Sequence, residues 1–172
     1  ATYDATRHLI QKGYTGVTCI TIDIQLENMQ QRLQGFKQAL SDSSIPLVEE
    51  RICVLPFSHE KDDVYRAVKK RFSNGKIKPD AVLFTTSKLG VMGIESIHNL
   101  GLKIPDEVAV VSFDDPDSYK ISHPPISAIA QPLEELGAQS VQILLDMMKS
   151  PSRSIPVRKV VLKTRFIPRG SS

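Results

Sequence analysis

The residues of this sequence that could do chemistry follow its short apolar runs. Asp114 and Asp115 follow VVSF, and such a pair can coordinate a metal, act as acid and base, or accept hydrogen bonds from hydroxyl groups. The pair can equally form a simple turn, since Asp side chains bond to their own backbone in loops. Arg32 lies beside Leu33 in an amphipathic stretch, where its guanidinium could fork onto two hydroxyls or a carboxylate, or simply lie on the surface. Other candidates follow the remaining apolar runs: Asp23, Phe57, Thr85 to Ser87, and Gln131.

The common motifs of catalysis and of cofactor or metal binding are missing from the chain. GxGxxG, GxxxxGK[ST] and GxSxG do not occur. The four histidines are scattered and form no HxxxH pair, so we expect no metal ion, no cofactor and no catalytic residue. Cys19 and Cys53 both lie in apolar runs, which favours two buried free thiols in a reducing compartment, with a single disulfide as the alternative.

The elements that position the candidates follow from the hydrophobic pattern. Apolar runs predict strands at 17–22, 47–55, 81–84, 108–113, 127–130, 157–163 and 165–167. Amphipathic stretches predict helices at 2–12, 27–40, 58–72, 87–100 and 133–149, with a loop at 114–126. Continuous apolar strands that alternate with helices are typical of an α/β three-layer sandwich with a parallel sheet. Ligands of such sheets bind beyond the carboxyl ends of the strands, where the candidate residues lie.

Composition and charge exclude several classes of protein. The 172 residues suffice for about one domain with its own core. A hydrophobic content of 41% and a charged content of 24% are typical of a globular chain. The net charge of +3 is too small to indicate nucleic acid as the main partner of this segment, and the basic run 69–78 suits a helix end. No apolar window is long enough for a membrane span. Because the chain opens on Ala1 and a helical pattern, we expect a piece of a longer protein.

Five segments occur in one order: GYTGVTCI, RLQGFKQAL, PDAVLFTTSKLGVMGIESIHNLGLKIPDEVAVVSFDD, HPPISAIAQPLEELGAQSVQILLDMM and FIPRGSS. With them, the chain resembles the effector-binding portion of the LacI/GalR family of bacterial transcription regulators. The resemblance implies a type I periplasmic-binding-protein-like lobe. Residues 1–172 would be part of an effector-binding domain, mainly its C-terminal lobe at about 14–131 and 156–172. Helices 2–12 and 133–149 would pack on a missing N-terminal lobe, and the DNA-binding domain is also missing.

The same resemblance assigns site residues. Carried onto this sequence, the effector contacts are Arg32, Asp114, Phe57, Thr86, Ser87 and Gln131. In the family, the arginine of R-L-x-G-[FW] clamps the ligand, the first Asp after the strand accepts its hydrogen bonds, and an aromatic ring stacks on a sugar face. Thr86 and Ser87 stand where the family usually has Asn-Asp. A hydroxyl has less reach and no charge, so we expect an effector that differs from the common ones.

The resemblance implies a ligand sensor and not an enzyme. A small, sugar-like effector would bind between two lobes and change the affinity for operator DNA, which the missing N-terminal domain would contact. The protein would be cytoplasmic, unattached to membranes and homodimeric, with helix 87–100 and the loop 123–126 as candidate contacts. Two alternatives stay open: a lobe of an extracytoplasmic sugar-binding protein for transport or chemosensing, and an α/β enzyme that uses Asp114 or Asp115 as a base. We also expect the apolar helix 133–149 to drive self-association of the fragment.

Overall fold

The computed structural model describes residues 1–23, 25–74, 77–149 and 158–172. Its strands are β1 (Val17–Asp23), β2 (Ile52–Pro56), β3 (Ala81–Phe84), β4 (Ala109–Phe113), β5 (Ser127–Ala130) and β6 (Arg165–Ile167). Its helices are α1 (Thr2–Gln11), α2 (Glu27–Asp42), α3 (Lys61–Asn74), α4 (Ser87–Asn99), α5 (Asp117–Ile121) and α6 (Leu133–Lys149). The strands form one sheet in the order β2-β1-β3-β4-β5-β6, in which only β6 runs antiparallel to its neighbour. No helix in these ranges is long and apolar enough to cross a membrane.

The sheet buries apolar side chains on both faces, because successive side chains of a strand point to opposite sides. On β4, Ala109, Val111 and Phe113 pack in one cluster with residues of α1 and α2. Val110 belongs to the opposite cluster with residues of α3 and α4. Helices therefore cover both faces, and the predicted three-layer α/β sandwich is confirmed.

The strand order reverses at β1, which brings the candidate residues to one edge. The chain moves from β1 to β2 on one side and then to β3 on the other side of β1. In parallel sheets, such a reversal opens a crevice at the carboxyl ends of the two strands. The turns that follow β1 and β3 lie at this crevice, and those after β4 and β5 continue the same edge of the sheet.

Two predicted elements begin differently in the structure. The stretch 47–55 starts as a 3-10 turn at Glu49–Arg51, not as a strand. The turn places the buried Arg51 side chain where it donates hydrogen bonds to the backbone oxygens of Thr15 and Val17. The helix predicted from residue 58 starts at Lys61, because the Asp63 carboxylate accepts the Glu60 amide at 2.9 Å and caps this later start.

The predicted loop at 114–126 contains a helix. Residues Asp117–Ile121 form α5, whose Tyr119 is almost fully buried and belongs to the core shared by α3 and α4. Pro116, Pro124 and Pro125 favour an irregular loop in the sequence. A single buried aromatic residue is too small a signal in the sequence to indicate one helical turn.

The opening helix corrects one expectation. The sequence predicts that helix 2–12 packs on a missing lobe, but Ala5 and Leu9 of α1 are fully buried against the sheet and against Phe36 of α2. Gly35 allows this close approach, since a Cβ there would lie 3.1 Å from the Tyr3 amide nitrogen. The helix therefore completes the core of the described lobe.

The last helix is uncovered in the described part of the chain. α6 has no buried residue, and its exposed apolar side chains are Leu133, Leu136, Val141, Leu144, Leu145, Met147 and Met148. Residues 158–163 are not the predicted strand, and Val160 and Val161 are 50% and 79% exposed. Among the described strands, none pairs with this segment. Residues 156 and 157, which open the predicted lobe segment and strand, lie outside the described residues. Packing of α6 on a second lobe stays a prediction.

The two remaining sequence expectations concern cysteines and the basic run. Cys19 is buried, Cys53 is half-buried, and both are free thiols as predicted. Cys53 pairs in register with Ile20, so the two sulfurs lie on opposite faces of the sheet. In the basic run, Arg71 donates hydrogen bonds to the backbone oxygens of Glu50 and Ile52 at the start of β2. The helix-end role of the run stays a prediction. Residues 75 and 76 of that run lie outside the described residues.

Candidate functional site

Arg32 reaches the carboxyl edge of the sheet from α2. It lies three residues after Met29 and four before Phe36, both buried, so it shares the face of α2 that packs on the sheet. Its Nη1 donates a 2.6 Å hydrogen bond to the backbone oxygen of Thr85, and its guanidinium carbon lies 3.5 Å from the centroid of the Phe113 ring. Burial lowers the pKa of Arg32 from a very high ordinary value, and the nearby Asp114 charge opposes this shift. The group stays a cation.

Asp114 follows β4 in the left-handed backbone region, with φ of 65°. Asp adopts this conformation more readily than most side chains. Its amide donates to the Ile129 oxygen at 3.0 Å, which fixes the turn on β5. Its Oδ1 accepts Gln131 Nε2 at 2.6 Å, and its Oδ2 accepts the Ser87 amide at 3.3 Å. One carboxylate therefore ties together the ends of β3, β4 and β5.

Ser87 joins this cluster through its backbone, and Thr86 caps the helix beside it. Thr86 is the N-cap of α4, and its Oγ1 accepts the Leu89 amide at 3.2 Å. The Ser87 amide bonds to Asp114, and its backbone oxygen accepts the Tyr119 hydroxyl at 3.3 Å. The predicted effector contacts from the two hydroxyls stay predictions.

Phe57 lies at the same edge but apart from the cluster. It follows Pro56 at the end of β2, the outermost strand, and its side chain is 65% exposed. An exposed ring at this edge has a free face for stacking on a ligand. That role stays a prediction.

Asp115 is directed away from the cluster into a structural ion pair. Its carboxylate accepts two hydrogen bonds from Arg169, at 2.7 and 2.8 Å, and both side chains are mostly buried. Arg169 also donates to the Ile126 oxygen at 2.7 Å. These hydrogen bonds lower the pKa of Asp115 from its ordinary value. Of the two adjacent carboxylates, only Asp114 belongs to the candidate site.

The arrangement suits recognition better than bond breaking. Both oxygens of Asp114 already accept hydrogen bonds, and both oxygens of Asp115 are held by Arg169. Neither carboxylate is poised as a base. Among the described residues, no group of three or more His, Cys, Asp or Glu side chains could hold a metal ion. A bidentate donor beside an ionised acceptor fits a ligand rich in hydroxyl groups.

Sequence reasoning missed two parts of this site. Phe113 supports the guanidinium of Arg32, and the backbone oxygen of Thr85 accepts its hydrogen bond. Alternation along β4 could have found Phe113, because it shares a face with Val111 and therefore points toward α2. No sequence signal marks a backbone acceptor such as that of Thr85.

A doubly wound parallel sheet with polar side chains at its carboxyl edge defines one lobe of a ligand-binding α/β protein. The chain belongs to the periplasmic binding protein-like domain family, whose profile matches residues 6–172. It is 31% identical over 169 residues to the ribose operon repressor of Haemophilus influenzae, covering 98% of this chain and 49% of that protein. It is 28% identical over 139 residues to the HTH-type transcriptional regulator DegA of Bacillus subtilis, covering 80% and 40%.

Solved structures agree with these relatives. The complex of the transcriptional regulator CelR with cellobiose has a TM-score of 0.86 and 26% identity, covering 99% of this chain and 51% of that chain. A LacI family regulator from Enterococcus faecium with bound ribose has a TM-score of 0.82 and 26% identity, covering 99% and 61%. The resemblance to LacI/GalR regulators and the predicted fold class are confirmed, and the transport-protein alternative is not favoured. The chain spans about half the length of the curated relatives it matches.

Proposed function

We propose that this chain is the C-terminal part of the effector-binding domain of a LacI-type regulator and that its carboxyl edge binds a small, sugar-like effector. The observation that carries the proposal is the cluster of Arg32, Asp114 and Gln131, which converges from three elements distant in sequence. Relatives solved with cellobiose and with ribose support a sugar-like ligand.

Each side chain has a distinct part in this proposal. Arg32 uses one N–H on Thr85 and has further N–H donors for ligand hydroxyls. Asp114 accepts hydrogen bonds from the ligand with its remaining lone pairs, in the orientation that Gln131 sets. The Phe57 ring covers the apolar face of the sugar. Hydroxyls from Thr86 and Ser87 complete the contacts without adding charge.

The second half of the binding crevice comes from an N-terminal lobe in this proposal. The apolar stripe of α6, with Leu133 at 68% and Val141 at 58% exposure, is the surface that such a lobe would cover. Effector binding would favour one relative orientation of the two lobes over another. A preceding DNA-binding domain would then have different operator affinity in the two states, which is a coupled equilibrium. The proposal assigns no catalytic role and places the protein in the cytoplasm.

A second copy of the chain is the proposed partner of α4. A groove of about 260 Å³ lies between α4 and α5, with Val91, Ile94, Tyr119 and Ile126 as its apolar lining. Val91 contributes to this lining and is 47% exposed. The groove is lined by residues of helix 87–100 and by Ile126 of the loop 123–126. These two segments are the predicted dimer contacts. Sedimentation of Val91→Glu and of wild type tests this contact. If both proteins form the same dimer, the groove is not the dimer contact.

Two experiments on the whole regulator test the main proposal. A thermal-shift screen of neutral sugars should reveal a ligand, and that ligand should change binding to operator DNA in a gel shift. The 172-residue chain alone should bind DNA only weakly and without sequence preference, and modest salt should abolish this binding. A nanomolar, sequence-dependent shift by the chain alone would contradict the assignment.

A further inference from the structure

A pair of buried hydroxyls lies beneath the start of α4. The Tyr119 side chain is almost fully buried, and its hydroxyl oxygen lies 2.8 Å from Ser112 Oγ and 3.3 Å from the Ser87 backbone oxygen. Ser112 Oγ in turn lies 3.3 Å from the Phe113 oxygen and 3.5 Å from the Thr86 oxygen. The two hydroxyls therefore face backbone oxygens of the residues that form the candidate site.

Gly90 makes the space for these hydroxyls. A Cβ at Gly90 would lie 2.0 Å from the Tyr119 hydroxyl and 2.2 Å from Ser112 Oγ. Gly90 also begins the hydrogen bonding of α4, since its amide donates to the Thr86 oxygen at 2.9 Å. The first turn of α4 thus sits directly on the two hydroxyls.

Tyr119 is itself held firmly in place. Its amide donates to the Pro116 oxygen, and its backbone oxygen accepts the Ile126 amide, both at 2.9 Å. Its ring packs in the core with Ile94 and Ile126. Burial raises the pKa of Tyr119 to about 12, so its hydroxyl stays protonated and can donate at neutral pH.

We propose that Tyr119 is a positioning residue for the effector site. Its hydroxyl holds the Ser87 backbone oxygen, and this aims the Ser87 amide at Asp114. This inference rests on the proposed function, because a positioning residue requires an effector site whose residues it positions. A Tyr119 that merely fills the core would use its ring and not its hydroxyl.

Hydrogen exchange on the whole regulator distinguishes these two roles without an effector. Tyr119→Phe keeps the ring and removes the hydroxyl. We expect exchange in the peptide 86–90 to rise about five- to tenfold, the change that corresponds to one lost hydrogen bond. Exchange in 81–84 and in 94–99 should stay unchanged. Tyr65→Phe, which removes a hydroxyl from α3, is the matched control and should change none of these peptides.

Ser112→Ala is the second variant and removes only the partner hydroxyl. Exchange in 86–90 should rise less than in Tyr119→Phe, because Tyr119 can still donate to the Ser87 oxygen. An unchanged peptide 86–90 in Tyr119→Phe, or an equal rise across 81–84 and 94–99, would overturn the positioning role. If Tyr119→Phe does not fold, a local rise in Ser112→Ala supports the proposal and a uniform rise overturns it. If no sugar binds, the proposed function is contradicted, but the exchange results still show whether the Tyr119 hydroxyl holds the backbone at 86–90.

Discussion

Replacement of Arg32 by alanine tests the site through a single guanidinium. The change removes the 2.6 Å hydrogen bond to the buried Thr85 oxygen and the contact with the Phe113 ring. A hydrogen bond from a charged group contributes about 1.5–3 kcal/mol, and a cation over an aromatic ring about 0.5–2 kcal/mol. Release of a partly buried charge offsets some of this, so we expect the free energy of unfolding to fall by about 2 kcal/mol.

Arg32→Ala should also weaken effector binding. A missing charged partner for the ligand weakens binding by about 2 kcal/mol or more, which is about 30-fold. Arg32→Lys keeps a cation over Phe113 but loses the planar fork. It should therefore retain most of the stability and still lose most of the affinity.

Urea unfolding and calorimetric titration of the whole regulator measure the two effects separately, with a sugar found by thermal shift as the ligand. Arg66→Ala is the control, because this arginine is exposed on α3 and its ion pair with Asp63 lies on the surface. It should change neither quantity. If Arg32→Ala lowers stability as expected but binds the sugar as tightly as wild type does, Arg32 is structural. If it leaves stability unchanged, the contacts with Thr85 and Phe113 contribute nothing and the energetic reasoning is wrong.

Three further predictions concern other parts of the chain. Asp115→Asn should lower the free energy of unfolding by about 3 kcal/mol at pH 7, because it leaves the mostly buried Arg169 without its carboxylate. Arg169 lowers the pKa of Asp115 in the folded state. The stabilisation is therefore present above the ordinary pKa of about 3.9 and is lost as the pH falls through the lower folded value. Denaturation curves of variant and wild type should converge in acid. Gly90→Ala should destabilise by about 1–3 kcal/mol in urea unfolding. Gly137→Ala should not, because among the described residues no atom outside the local helix backbone would lie within 4 Å of its Cβ. Leu144→Glu on α6 should reduce self-association of the 172-residue chain in sedimentation, and a chain that stays monomeric at high micromolar concentration would contradict this prediction.

Strand positions and the candidate edge were predictable because they depend on local pattern. The apolar run at Ala81–Phe84 has its predicted bounds, as has the run at Ser127–Ala130. Residues after such strands necessarily meet at one edge of a parallel sheet, which is why the sequence alone suffices to group Asp114 with Gln131.

Contacts between distant segments were not predictable in this way. The sequence shows that α1 is amphipathic but not which surface covers it, so its burial against Phe36 came only from the structure. The Tyr119 hydroxyl meets Ser112 and the space above Gly90, and no periodicity links these three positions. Thr86 was predicted as a ligand contact because of its place after β3, yet its hydroxyl caps α4, which the residue type alone also allowed.

A thermal-shift screen on wild type and Asp114→Asn tests the central claim most directly. Asparagine accepts the left-handed backbone at this position, so the variant should fold while it loses the ionised acceptor. Ribose and cellobiose belong in the panel, because related regulators were solved with them. A ligand at about one hundred times its Kd stabilises the folded state by about 2.7 kcal/mol. At least one sugar should raise the unfolding temperature of wild type and raise that of Asp114→Asn far less. An equal rise in both proteins, or no rise with any sugar, would contradict the central claim.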